Sequence, residues 1–137
     1  MHDGTAGAFI RKAIDRGHLS ILEHASASFV LRGVSRAFTH QLVRHRLASI
    51  AQQSQRYVKE DAFEYVTPPD IAANPVAAEL YHSHMLRVRD MYTTLRDLGI
   101  LKEDARFVLP NACETEIVFT ANFREFLHAF ELRLDKA

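Results

Sequence analysis

The chain of 137 residues has one cysteine and no tryptophan. With Cys113 as its only thiol, no internal disulfide can form, and a reducing cytoplasm suits such a chain. Net charge is missing too: seventeen Lys and Arg balance seventeen Asp and Glu, so no global field draws the chain onto nucleic acid or membrane. No apolar run approaches the roughly 20 residues of a membrane span. The opening Met1-His2-Asp3-Gly4 has neither the basic nor the apolar region of a signal peptide. Repeats and low-complexity tracts are absent. What remains is ordinary for a globular domain, with 47% hydrophobic and 25% charged residues. The length suits one core rather than two, so residues 1–137 are expected to form a single domain.

Five glycines and four prolines punctuate the chain, and several of them mark boundaries. Phe9, Ile10, Ala13 and Ile14 fall at helical spacing within residues 5–16, and Gly17 stops that helix. Ser20 and Glu23 have the spacing of a capping box for a short turn. Alternation between Ala25 and Arg32 predicts a half-buried strand ended by Gly33. Ser35 caps a helix expected over 36–47, and the polar stretch 49–55 reads as a loop. Tyr57-Val58 and Glu64-Tyr65-Val66 look like short strands. Pro75 opens a long helix running to Leu98 before Gly99. A short helix over 102–109 stops at Pro110, a strand follows over 116–121, and Asn122 caps the last helix with Glu125 three residues on. This order predicts an α+β domain, a small and largely antiparallel sheet flanked by helices.

One segment breaks the charge balance. From His24 to Lys59 there are six Lys and Arg and no Asp or Glu. Within it, Arg44, His45, Arg46, Ser49, Gln52, Gln53, Ser54, Gln55 and Arg56 put nine hydrogen-bonding side chains into thirteen positions. Arg44 and Arg46, taken singly, read as solvated charges near a helix C-terminus. Their density argues for a ligand. Guanidinium forks match phosphate oxygens, while amides and hydroxyls read the edge of a heterocycle. A nucleotide suits such a surface.

Arg44-His45-Arg46, then seven residues and Ser54, resembles the motif of the flavin-dependent thymidylate synthases. Three further blocks resemble the family in order: Gly17-His18-Leu19-Ser20 with Glu23-His24, Ala105 to Asn111, and Asn122-Phe123-Arg124 through Glu131-Leu132-Arg133. The resemblance implies an enzyme that converts deoxyuridylate (dUMP) to thymidylate. Methylenetetrahydrofolate would supply the carbon, and FAD reduced by NADPH would carry the hydride. It implies that His18, Ser20, Arg44, His45, Arg46, Asn122, Arg124 and His128 hold FAD. It places Gln41, Gln52, Ser54, Arg56, Arg106 and Arg133 on dUMP, with Arg133 as the catalytic cation against the pyrimidine. Family active sites form between the subunits of a homotetramer, which implies shared sites. The chain opens and closes inside the family's usual extent, so a form shortened at both ends is expected. On the last helix Phe123, Phe126, Leu127, Phe130 and Leu134 form the expected buried stripe. Arg133 falls at its edge, roughly opposite Arg124 and His128.

Other residues have plainer readings. His82 and His84 lie two apart on a helix, about 160° apart around its axis, and cannot chelate one ion. His24 and His40 are read as structural. No zinc spacing occurs, and no metal is expected. The stripe Leu80, Met85, Val88, Met91, Tyr92 and Leu95 is core or subunit interface. Cys113 lacks a visible activating group and stands outside the matched blocks, so no catalytic role is assigned to it. Two rival functions remain open: a shortened, non-catalytic relative that binds flavin or nucleotide, and a nucleic-acid-binding module using residues 32–56.

Overall fold

A computed structural model describes residues 5–55 and 63–134. Arg56, Tyr57, Val58 and Lys59 lie outside the described residues, so the strand expected at Tyr57-Val58 and the nucleotide contact expected of Arg56 are not addressed by it. In chain order the elements are α1 (Thr5–Asp15), a 3-10 helix (Leu19–His24), β1 (Ser26–Ser35), α2 (Arg36–Leu42) and β2 (Ala48–Gln52). Then come α3 (Pro69–Ala72), α4 (Pro75–Asp97), α5 (Lys102–Ala105), a 3-10 turn (Arg106–Val108), β3 (Glu114–Asn122) and α6 (Phe123–Arg133). The expected α+β class is observed. The three strands form one antiparallel sheet in the order β1-β3-β2. Ser28 meets Thr120 at 2.8 Å, and Arg32 meets Glu116 at 2.6 Å. Four steps forward on β1 thus correspond to four steps back on β3.

β3 is the central strand, and its burial alternates from Thr115 through Ile117 and Phe119 to Ala121. That period-two pattern made it legible in the sequence. β2 was not. Its polar residues suggested a loop, yet Ala48–Gln52 pair as an edge strand in which half-buried and exposed positions alternate. An edge strand needs only one good face, so polar composition does not exclude it. Gly33 does not end β1 either. The strand continues to Ser35, with Gly33 at φ +67°, a conformation that costs glycine nothing and other residues roughly 1–2 kcal/mol. Helix α2 stops at Leu42, earlier than the expected 47. Residues 64–66 contribute a single bridge, Tyr65 with Cys113, rather than a strand.

The chain divides into two compact units. The first comprises residues 1–29, 45–50 and 118–137, and the second comprises 30–44 and 51–117. In the first, α6 packs on the 3-10 helix, which also meets α1. Ser20 lies inside that 3-10 helix rather than capping it: His18 is the N-cap residue and makes no side-chain cap bond. The buried edge of α6 is not the expected aromatic stripe. Glu125 and Ala129 are buried, while Phe123, Leu127, Phe130 and Leu134 are exposed. Only Phe126 of that stripe packs partly inward, its ring edge-on to Phe29 at 5.4 Å and near Phe119 at 5.7 Å. A polar partner for Glu125, described below, explains the turn of the helix.

In the second unit α4 is the long element. Asn74 caps it by accepting from the amides of Val76 and Ala77, and Pro75 occupies its first turn. Met85 and Tyr92, seven residues apart, are its buried face, whereas Leu80 and Met91 of the expected stripe are exposed. Cys113 is fully buried here. Burial raises the Tyr81 hydroxyl above its ordinary pKa, with Tyr65 and Cys113 adding to the effect. That hydroxyl donates to the Val66 carbonyl at 2.8 Å. Among the described residues, no helix is long and apolar enough to cross a membrane, and no three His, Cys, Asp or Glu converge as a metal would require.

Candidate functional site

Asn122 stands where β3 becomes α6. Its side chain accepts from the Glu125 amide at 2.9 Å, the cap expected from the sequence. One turn of helix then brings Arg124 and His128 to the same side, because residues four apart nearly eclipse. Asn122, Arg124 and His128 line one cavity of about 790 Å³, together with Ile14, Leu19, Leu47 and Leu127 as apolar wall and Glu23, Glu125 and Glu131 as acceptors. That size lies within the usual range for a small-molecule or cofactor pocket, roughly 300–1,000 Å³. Arg124 forms a salt bridge with Glu23, both about half exposed. Glu23 is a partner that the capping-box reading missed; it became visible only once the first and last matched blocks met.

A second, shallower cavity of about 370 Å³ shares Leu47 and Asn122 with the first and adds Arg46, Ser26 and Ser49. Arg46 is exposed there. Ser20 and His18 are exposed at the start of the 3-10 helix, on the element against which α6 packs. Seven of the eight residues expected to hold FAD therefore belong to one unit, and six of them lie at or near α6 and the two cavities: His18, Ser20, Arg46, Asn122, Arg124 and His128. Apolar walls, exposed guanidinium and imidazole groups and several hydrogen-bonding side chains are the surroundings that a planar, charged heterocyclic cofactor needs. The donor set fits FAD.

His45, the seventh, differs from the others in being buried. Its Nε2 accepts from Arg133 Nε at 3.2 Å, and its Nδ1 stands 3.5 Å from Glu125 Oε1. An imidazole nitrogen that accepts carries no proton, so the hydrogen bond assigns the ring proton to Nδ1, facing the carboxylate. The His128 ring lies edge-on to His45 at 6.4 Å. Both polar atoms of His45 thus face protein groups, and its ring joins His128 to Arg133. Arg44, the eighth, belongs to the other unit; its amide bonds to Gln41 O at 3.2 Å, and it is exposed.

The residues expected on dUMP divide differently. Gln52 is half-buried and donates through Nε2 to Thr39 Oγ1 at 2.8 Å; that hydroxyl donates to the Arg36 carbonyl at 3.0 Å. The chain of bonds settles the amide orientation. The Thr39 proton is committed to a carbonyl, so its lone pair must face an N–H, and Gln52 Oε1 is the end left to act. Arg36 Nη2 donates to the Gln53 carbonyl at 2.7 Å, which ties the backbone next to Ser54 to α2. Arg106 donates from Nε to the Glu103 carbonyl at 3.0 Å, and its guanidinium lies 5.9 Å from the Phe107 ring centre. Gln41 is exposed on α2 and Ser54 is half-buried. Thr39 was missed in the sequence because its hydroxyl joins a backbone carbonyl to a side chain thirteen residues on, which no spacing reveals.

Comparison with known proteins matches the whole chain, residues 1–137, to the family described as thymidylate synthase complementing protein. It is 51% identical over 128 residues to the flavin-dependent thymidylate synthase of Geobacter sulfurreducens, covering 92% of this chain and 55% of that protein. It is 47% identical over 135 residues to that of Nitratidesulfovibrio vulgaris, covering 93% and 55%. It is 46% identical over 122 residues to that of Pyrococcus furiosus, covering 86% and 50%. The chain spans about half the length of these curated relatives. Matched along its full length and at this identity, the chain belongs to the flavin-dependent thymidylate synthase family.

Proposed function

We propose that the chain acts as a flavin-dependent thymidylate synthase, methylating dUMP with methylenetetrahydrofolate as carbon donor and NADPH as reductant. The observation that carries this reading is the cavity lined by Asn122, Arg124 and His128 in a chain matched to the family throughout. FAD, when bound, supplies the hydride chemistry. Asn122, Arg124 and His128 bind the cofactor from α6, with His18, Ser20, Arg44 and Arg46 contributing from their own elements and His45 from beneath. Gln41, Gln52, Ser54, Arg56 and Arg106 bind the nucleotide. The fixed cation of Arg133 stabilises negative charge on the pyrimidine, and such preorganised charge is worth most where water is excluded. Copies of the chain in the cytoplasm share these sites in a homotetramer. Exposed apolar side chains on the first unit, among them Phe29, Leu47 and Phe130, support association.

A thiol has no part in this scheme. Cys113 is fully buried, so it offers no nucleophile to a nucleotide in solution. The assay is thymidylate formation by Cys113→Ala with and without FAD: the variant is expected to turn over within a few-fold of the parent and only with flavin. Complete loss in a folded variant, or turnover indifferent to flavin, contradicts the proposal. A parent that binds FAD and dUMP but gives no product supports the non-catalytic reading instead.

A further inference from the structure

Glu125 is almost wholly buried in the first unit, although it borders the larger cavity, and a carboxylate so placed needs partners. It sits in the first turn of α6, where the unsatisfied amides of a helix N-terminus favour negative charge. Positions 125, 129 and 133 follow one another at about 40° steps around the helix and form one slanted stripe. The middle member, Ala129, is small and buried, so the stripe leaves room between its polar ends. His45 reaches both ends: Nδ1 faces Glu125 at 3.5 Å, and Nε2 accepts from Arg133 at 3.2 Å.

We propose that Glu125 is a positioning residue which, acting through the buried imidazole of His45, fixes the guanidinium of Arg133 for the nucleotide. The carboxylate selects the tautomer with the proton on Nδ1. Only that tautomer leaves Nε2 bare to accept from Arg133 Nε, which orients the guanidinium plane and leaves its remaining donors to their own partners. The opposite tautomer would present an N–H to an N–H, and Arg133 would swing away. The proposal rests on the reading that Arg133 meets dUMP, but the relay itself can be tested without nucleotide.

Two variants separate the arms. Glu125→Gln keeps an oxygen that can accept from Nδ1–H, whereas Glu125→Leu fills the space without an acceptor. Nitrogen-15 spectra of the parent are expected to show His45 protonated on Nδ1 and a slowly exchanging Arg133 Nε–H. Glu125→Gln should keep both, and Glu125→Leu should lose the slow exchange. A parent with the proton on His45 Nε2, or with an Arg133 Nε–H that exchanges as fast in the parent as in Glu125→Leu, overturns the relay. The parent spectrum alone decides this if Glu125→Leu does not fold.

Titration of the FAD-loaded protein with dUMP then tests the consequence. Glu125→Leu should weaken dUMP on the order of tenfold, and Glu125→Gln by no more than about threefold. In an Arg133→Ala background Glu125→Leu should change dUMP affinity no further, because its effect runs through Arg133. An undiminished tenfold effect in that background means Glu125 acts by another route and overturns the proposal. If Arg133→Ala alone leaves dUMP affinity unchanged, the nucleotide role of Arg133 fails, while the nitrogen spectra still judge the relay.

Discussion

Thr39 and Arg124 show how differently a polar side chain contributes when it is buried or exposed. Thr39 is fully buried, and its hydroxyl serves both Gln52 and the Arg36 carbonyl. Thr39→Val keeps the shape and strands both partners, so it should cost about 1–3 kcal/mol in denaturant unfolding. Thr39→Ser should recover most of the loss, and a Thr39→Val protein as stable as the parent would contradict the role. Arg124 and Glu23 are half exposed, and such pairs contribute between roughly 0 and 1 kcal/mol. Arg124→Ala should therefore leave the unfolding midpoint almost unmoved while weakening FAD by about tenfold or more. An unchanged FAD affinity would show that Arg124 serves Glu23 alone. The place of Arg124 in the first turn of α6 was legible from the Asn122 cap before it, whereas its partner Glu23 was not. Thr39 was not, since a threonine on an amphipathic helix gives no sign that its hydroxyl closes a network.

At the scale of elements, the caps Ser35 and Asn122 and the central strand were read correctly, while the Ser20 cap, the edge strand and the inward face of α6 were not. Ser35, Asn74 and Asn122 each cap a helix, a role set by local backbone geometry alone. Pro75 and Gly99 bound α4 for the same reason. β2 was missed because its pairing with β3 depends on residues far along the chain. The inward face of α6 was misjudged because apolar count pointed to Phe123, Leu127 and Phe130. The buried contact is instead the pairing of Glu125 with His45, 80 residues distant in sequence. The caps allow a comparison between helices. Asn122→Ala and Asn74→Ala should each cost about 0.5–2 kcal/mol in thermal or chemical unfolding. Only Asn122 also lines the larger cavity, so Asn122→Ala alone should lower FAD affinity. Equal flavin affinity in the two variants would separate the cap from the cofactor.

For the whole molecule, net charge is neutral, yet six Lys and Arg fall between His24 and Lys59 with no Asp or Glu among them. Large apolar side chains remain exposed on the first unit, and the proposed association of copies would cover them. Sedimentation of the flavin-loaded protein should accordingly show an oligomer, and a monomer that holds FAD tightly would contradict the shared-site arrangement. In the function proposed above, the surfaces around Asn122, Arg124 and His128 hold a flavin that serves dUMP methylation. The visible absorption spectrum of the purified chain tests it most directly, recorded alone, with FAD, and with FAD and dUMP. Retained FAD with bands displaced from those of the free cofactor, and a further displacement on adding dUMP, is the predicted result; FAD that passes through unbound with its free spectrum contradicts the account.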